Sequence, residues 1–144
     1  MKSKATKRRF FIDTNILIYC FDRRYPAKQK KSNELIAEAL SSGLGVISHQ
    51  VIQEFVSVAL TKFQKSFNPE QLIAYLDEVL FGLWKSYPSR EMYLEAILLQ
   101  RSYKLSWWDS LVVAAAIETG CSIIFSEDMQ HEGRIATVDI INPY

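Results

Sequence analysis

Short apolar segments separated by helical segments constrain this chain more than any other feature of its sequence. Such segments occur at Phe10–Ile12, Gly45–Ser48, Cys121–Phe125 and Thr137–Ile141. Continuous apolar runs of this length are typical of strands buried on both faces of a parallel sheet. Because helices separate them, right-handed strand–helix–strand connections follow. The sequence therefore predicts an α/β fold, a three-layer α/β/α sandwich with a mostly parallel central sheet.

Capping and breaking residues bound the predicted helices. Ser48 and Ser106 each precede a helix whose first turn they can cap. The helix after Ser106 is apolar almost all round through Leu111–Ile117, and Gly120 ends it. A helix of this composition belongs in the interior of the fold. Further helices are predicted from Ile16 to Phe21, from Pro26 to Gly43, and on both sides of Pro88 between Asn68 and Leu98.

Length and composition fit one ordinary domain. With 144 residues, 49% of them hydrophobic, the chain can bury a core without disulfides or a structural metal. Cys20 and Cys121 lack metal-ligand spacing and are expected to be packed, reduced thiols. No apolar run approaches the roughly 20 residues of a membrane helix, and the basic start lacks the apolar region of a signal peptide. We expect a single cytoplasmic domain over 1–144, with 1–8 as a basic lead.

Four acidic residues are predicted to meet where the strands end. Asp13 and Asp128 each follow an apolar strand, while Glu54 and Asp109 lie within the first two turns of the two Ser-capped helices. Ligands of open α/β sheets bind at this edge. Two unit charges about 4 Å apart repel by about 4 kcal/mol at an effective dielectric of about 20, so such carboxylates need cations or raised pKa values. Oxygen ligands without His or Cys favour Mg²⁺ or Mn²⁺, which suit phosphate-ester chemistry.

Each acid also has a purely structural interpretation. Asp13 could cap the short helix that follows it, and Glu54 could be a solvated acid on the polar side of its helix. Asp128 could be an ordinary turn acid. Asp109 is the most informative of the four, since a charge on an otherwise apolar helix face requires a strong partner, although it could also close a capping box.

Several neighbouring residues are assigned no catalytic role. Trp107 and Trp108 could stack on bases, but a Trp pair at the start of a buried helix more often packs in the core or at its rim. His49 and His131 lack ligand spacing and are interpreted as surface or packing residues. Glu127 is interpreted as an ordinary turn acid.

In order along the chain, FIDTNILIY, SHQVIQEF, SWWDSLVVAAA and FSEDMQ resemble the four acidic motifs of PIN-domain nucleases, notably VapC-type toxins. The end of the chain, SEDMQ followed by a strand ending in INPY, resembles one bacterial subgroup of that family. The resemblance implies one or two Mg²⁺ or Mn²⁺ ions that activate water to hydrolyse an RNA phosphodiester. The ligands it implies are Asp13, Glu54, Asp109 and Asp128.

The resemblance also implies supporting residues and partners. Thr14 or Asn15, and Ser126, would orient the carboxylates or water. The partners would be an RNA substrate and a small antitoxin protein that covers the acidic crevice. The helices around Leu72–Leu99 offer apolar surface for a homodimer, a pattern that fits core packing equally well. One departure from the subgroup is QHEGR, where one residue is inserted beyond Asp128, which affects local substrate contacts rather than the metal site.

Basic residues offer candidate contacts to RNA. Arg101, Lys104 and Arg134 flank the acidic motifs and are the preferred candidates. The basic group that includes Lys28 could track a phosphate backbone, but such a run is usually a solvated helix face.

Two other function classes are considered. One is a PIN nuclease outside toxin–antitoxin systems, acting in RNA processing or on structured DNA. The other is a non-catalytic regulatory or RNA-binding α/β domain. A phosphorylatable receiver would have adjacent acids after its first strand and a Lys after a late strand, whereas Asp13 stands alone and FSEDMQ has no Lys. An inactive PIN fold that only binds RNA stays open at this point.

Overall fold

The computed structural model describes residues 8–63, 65, 67–129 and 133–144. Most of the predicted basic lead, His131 and the inserted position in QHEGR therefore lie outside the described residues. The strands are β1 (Phe10–Ile12), β2 (Gly45–Ser48), β3 (Trp84–Ser86), β4 (Ile123–Phe125), β5 (Gly133–Ile135) and β6 (Val138–Ile141). The helices are α1 (Thr14–Tyr19), α2 (Pro26–Ser42), α3 (His49–Thr61), α4 (Pro69–Tyr75), α5 (Phe81–Leu83), α6 (Arg90–Tyr103) and α7 (Trp107–Glu118), with a π-helical segment at Leu76–Leu80.

The strands form one sheet in the order β3-β2-β1-β4-β6-β5. β1 pairs in parallel with both β2 and β4, and parallel pairing continues to β3 on one side and β6 on the other. β5 pairs antiparallel with β6 at the edge. The predicted, mostly parallel sheet is therefore confirmed, with the fully apolar β1 near its centre.

Helices cover this sheet in two layers. α7 packs against α6 and against β2, β3, β4 and β6, whereas α2 packs on β2 beside α1 and α5. Residues 110–116 of α7 are buried, as expected for a helix that is apolar almost all round. The predicted three-layer α/β/α sandwich and the central place of α7 are both confirmed.

The described elements differ from the predicted ones in local detail. β3 and β5 were not predicted, because each is a three-residue edge strand that includes a charged side chain and has no alternation to read. The helix predicted from Asn68 to Leu83 is interrupted by the π-helical segment. α1 begins at Thr14 rather than at Ile16, because Asp13 caps it.

The two cysteines are packed as the sequence predicts. Cys20 and Cys121 are free and buried, and burial raises the pKa of Cys20 to about 12. Within the described ranges, no helix is both long enough and apolar enough to cross a membrane.

A close approach between α2 and β2 requires glycine at position 45. A Cβ added to Gly45 would lie 2.2 Å from Cβ of Ala39 and 2.9 Å from its Cα. Because Ala39 is fully buried in α2, the helix itself would have to shift. The same addition at Gly82 would meet only Leu40 Cδ2, at 3.9 Å.

We therefore expect Gly45→Ala to destabilise the protein by about 1–3 kcal/mol, the usual range for overpacking a core. Gly82→Ala is the matched control and should leave stability unchanged or slightly raised, because alanine favours helix over glycine. Urea denaturation of both variants measures the difference. Equal stabilities would show that α2 and β2 do not approach as described.

Candidate active site

Asp13 is fixed at the junction of two strands and a helix. It directly follows β1, and its backbone N–H donates to the carbonyl of Phe125 at 3.0 Å. Its side chain caps α1 by accepting from the N–H of Thr14 at 2.8 Å. It also accepts from the hydroxyl of Ser126 at 2.7 Å, just beyond the end of β4. The capping role considered from the sequence is therefore present, and it does not exclude a role in a site.

The surroundings of Asp13 disfavour its charge. Its pKa is raised from 3.8 to about 6, mainly by burial and to a smaller extent by the nearby charges of Glu54 and Asp109. Hydrogen bonds from Ser126 and from the N–H of Thr14 act in the opposite direction but do not offset the burial. A carboxyl group with a pKa near neutrality at a strand end is typical of a functional position.

Glu54 reaches this group from α3. Its side chain is exposed, yet its Oε1 accepts a hydrogen bond from the hydroxyl of Thr14 at 3.0 Å. Thr14 is buried, so its hydroxyl has a fixed position. Thr14 therefore contacts both acids: its N–H donates to Asp13 and its hydroxyl donates to Glu54.

Asn15 connects Asp128 to the same group. Its Nδ2 donates to Asp128 Oδ2 at 3.2 Å, to Ser126 Oγ at 3.3 Å and to Asp13 Oδ2 at 3.4 Å. Its Oδ1 accepts from the backbone N–H of Glu127 at 3.2 Å. The loop after β4 is thus bound to the start of α1 by a single amide side chain.

Asp109 completes the group from the first turn of α7. Ser106 caps this helix by accepting from the N–H of Asp109 at 3.1 Å. Burial raises the pKa of Asp109, the charge of Asp128 adds to this, and a hydrogen bond with the Ser106 side chain opposes it. Since the charge of Asp109 also raises the pKa of Asp13, all four predicted acids interact.

The side chains of this group suit a hard divalent cation. All four acids offer carboxylate oxygens, the ligands that Mg²⁺ and Mn²⁺ prefer, and their mutual repulsion would be relieved by positive charge. Among the residues that the structure describes, no three Asp, Glu, His or Cys side chains already lie close enough to hold a metal. The fit to a cation therefore rests on the chemistry of the donor set alone.

Comparison with known proteins assigns the chain to a family. Residues 10–133 match the family model of the PIN domain. The chain belongs to the PIN-domain family. The resemblance seen in the four acidic motifs is thereby confirmed at the level of the family, which is one of nucleases.

Solved structures share the fold at low sequence identity. A toxin–antitoxin complex from Klebsiella pneumoniae is 20% identical with a TM-score of 0.64, and the match covers 93% of this chain and 97% of that one. DNA-bound VapBC from Salmonella typhimurium is 17% identical, with a TM-score of 0.66 and coverage of 95% and 99%. FitAcB from Neisseria gonorrhoeae is 14% identical, with a TM-score of 0.60 and coverage of 93% and 97%. A search of the curated proteins finds no match.

One contact in this PIN domain was missed from the sequence. Lys28 forms an ion pair with Glu127, and its Nζ lies over the rings of Tyr19 and Tyr144 at 4.8 and 5.3 Å. Lys28 is therefore neither a solvated residue nor a free phosphate contact, and Glu127 is not an ordinary turn acid. The pairing joins positions 99 residues apart, so no local pattern in the sequence indicated it.

The raised pKa of Asp13 predicts how stability depends on pH without divalent cations. Because the folded-state pKa exceeds the unfolded one, this residue favours folding below about pH 4, and the benefit is lost as pH rises through about 6. Asp13→Asn should then be more stable than the native protein at pH 8, by at most about 3 kcal/mol, and the difference should shrink at pH 4.

Thermal denaturation in chelator at both pH values measures this difference. Asp77→Asn, at an exposed position in the π-helical segment, is the control and should change the melting temperature little at either pH. An Asp13→Asn variant that melts below the native protein at pH 8 would contradict the desolvation of Asp13.

Proposed function

We propose that this PIN domain is a metal-dependent endoribonuclease and the toxin of a toxin–antitoxin pair. One observation carries the proposal. Three of the four motif acids are joined by hydrogen bonds through Thr14, Asn15 and Ser126, and the fourth interacts with them by charge. In metal-dependent phosphodiester hydrolysis, carboxylates gathered in this way hold divalent cations beside the scissile bond.

The four acids share one role in the proposed reaction. The cation ligands are Asp13, Glu54, Asp109 and Asp128. These residues would hold Mg²⁺ or Mn²⁺, which would supply a water of lowered pKa and offset the charge that develops on the phosphate oxygens.

Three neutral side chains orient these ligands. The Thr14 hydroxyl holds Glu54, the Ser126 hydroxyl holds Asp13, and the Asn15 amide holds Asp128. These donors fix the direction of each carboxylate without cancelling its charge, so the oxygens stay available to a cation.

Cleavage of RNA by the purified protein should require Mg²⁺ or Mn²⁺ and should stop in chelator. Asp13→Asn and Asp109→Asn should each lower the cleavage rate by about 100-fold or more, because each removes a charge that the cation needs. Single-turnover cleavage of labelled RNA measures the rate, with Asp77→Asn as a control that should keep it. Unchanged cleavage in either variant, or in chelator, would reject the mechanism.

The same assay separates positioning from ligation at Thr14. Thr14→Val removes the hydroxyl at nearly constant volume and should slow cleavage by about 10–100-fold, whereas Thr14→Ser keeps the donor and most of the rate. Raised cation concentration should partly restore Thr14→Val but not Asp13→Asn. Equal rates for the Val and Ser variants would remove Thr14 from the proposed site.

Two protein partners belong to the proposal. A small antitoxin is supported by the similar structure from Klebsiella pneumoniae, which is a toxin–antitoxin complex. A homodimer is supported by the outer face of α6, where Leu94, Ile97 and Leu98 are exposed rather than in the core. Co-expression with any small reading frame found adjacent to the gene, followed by light scattering, tests both. A monomer that captures no product of that gene would favour a nuclease outside toxin–antitoxin systems.

A further inference from the structure

A cavity of about 390 Å³ lies beside the carboxylate group, between the start of α3, the end of β3 and helices α6 and α7. Five of the residues that line it carry aromatic rings: His49, Tyr87, Tyr93, Trp107 and Trp108. The residues on which the inference depends are Gln50, Gln53, Ser86, Tyr93, Trp107 and Trp108. We call it the aromatic cavity.

The chemistry of the aromatic cavity suits a flat, uncharged ligand. The described residues that line it include no Lys, Arg, Asp or Glu. It therefore lacks the charges that would select a phosphate or an acidic peptide. The amide side chains of Gln50 and Gln53 offer both donors and acceptors, which suit the hydrogen-bonding edge of a heterocyclic ring.

One hydroxyl group in this cavity has no partner. Ser86 is only 3% exposed, and its Oγ has no hydrogen bond to any described residue. The hydroxyls of other buried serines do have partners, as in Ser110 donating to the carbonyl of Ser106 and Ser126 donating to Asp13. An unpaired buried hydroxyl costs free energy. Because Ser86 lines the cavity but its Oγ is enclosed, a ligand that moves the enclosing side chains aside can complete this hydroxyl.

The rings of Tyr93 and Trp108 are exposed and are not buried in the core. The rings of Tyr93 and Trp107 are nearly parallel, at 14°, with centroids 6.5 Å apart. Trp108 is 64% exposed and Tyr93 46%. The core or rim packing expected for the Trp pair therefore does not hold for Trp108. Exposed rings of this kind form stacking platforms for nucleobases.

The aromatic cavity continues into the proposed active site. Gln50, Gln53 and Trp108 line both the cavity and a neighbouring groove that contains Glu54. Trp108 also precedes Asp109 directly. Ser86 ends β3, two strands from β1, and neighbouring strands lie about 4.8 Å apart, so Ser86 and Asp13 are separated by roughly 10 Å across the sheet. One stretch of single-stranded RNA can reach both.

We propose that the aromatic cavity binds one unpaired nucleobase of the RNA, adjacent to the phosphodiester held at the carboxylates. Trp108 and Tyr93 stack on the base, and Ser86 with the two glutamines contacts its edge. This inference rests on the proposed function, since it names how that site holds its substrate. It makes the cavity a substrate-positioning site, separate from the residues that hold the cation.

Fluorescence anisotropy with a labelled 12-nucleotide single-stranded RNA, in chelator to prevent cleavage, tests the proposal. Tyr93→Leu and Trp108→Leu should each weaken binding by about 5- to 100-fold, the usual effect of losing one stacking platform. Phe81→Leu is the matched control, since Phe81 is 45% exposed but does not line the cavity, and it should bind as the native protein does.

Ser86→Ala tests the role of the hydroxyl, because the direction of the change in melting temperature distinguishes a ligand contact from a structural role. Because the hydroxyl has no partner among the described residues, its removal should leave the melting temperature unchanged or raised while RNA affinity falls. A lowered melting temperature together with native affinity would mean that the hydroxyl serves the fold, and would overturn its assignment to the ligand.

A series of 12-mers, each lacking one base, locates the contact. Removal of one particular base should weaken binding to the native protein but not to Trp108→Leu. Equal affinity for the whole series, no RNA binding by the native protein, or cavity variants that lose an antitoxin but keep RNA would each overturn the inference. If cation-dependent cleavage persists in those cases, the proposed function stands alone. Base-dependent binding without cleavage would instead reject the nuclease and keep the cavity.

Discussion

The hydrogen bond between Asp13 and Ser126 is the contact on which the arrangement of this site depends. β1 and β4 are paired in register through Ile12 and Phe125, so the residues that follow them emerge side by side. The backbone N–H of Asp13 donates to the last residue of β4, and its carboxylate accepts from Ser126. The same carboxylate also caps α1. The position of this charge is therefore set by the backbone of the sheet and not by a mobile side chain.

This arrangement concentrates negative charge, and among the described residues none of the four acids forms a salt bridge. The hydrogen bonds that hold Asp13, Glu54 and Asp128 come from hydroxyl, amide and backbone donors, all of them neutral. A neutral donor fixes a carboxylate in direction but cancels none of its charge. Lys28 reaches the loop after β4, but it forms its ion pair with Glu127 and not with one of the four acids. The repulsion stored in the group is the physical reason for a cation to bind there.

How much of this could be read from the sequence depended on the distance over which each feature acts. The buried strands, the caps at Ser48 and Ser106 and the central α7 follow from local pattern, and they were predicted. The contacts that assemble the site join Thr14 to Glu54 and Asn15 to Asp128, across 40 and 113 positions. No local pattern contains such pairs. The four acids and the supporting residues Thr14, Asn15 and Ser126 were named from the motifs, but which supporting residue contacts which acid was not predicted.

The ranking of the acids shows the same limit. Sequence reasoning placed Asp109 first, because a charge on an apolar helix needs a partner. The pKa of Asp109 is indeed raised, mainly by burial, and the pKa of Asp13 is raised to about 6, with burial as the largest cause. A helix position can be judged from its neighbours three and four residues away. The burial of a strand end depends on which strands lie beside it, and that order is a property of the whole fold.

Strand order also explains why a cavity and a carboxylate group occur together. Along β3, β2, β1 and β4, the residues that end or follow each strand are polar. In that order they are Ser86, Ser48, Asp13 and Ser126. Ser86 pairs in register with Ser48, which caps the helix that carries Glu54, and Asp13 pairs with Ser126. The aromatic cavity, with its unpaired hydroxyl, and the group of acids therefore lie side by side along the same edge of the sheet. A polymer with a flat base next to each charged phosphate carries the same two chemistries at a comparable spacing.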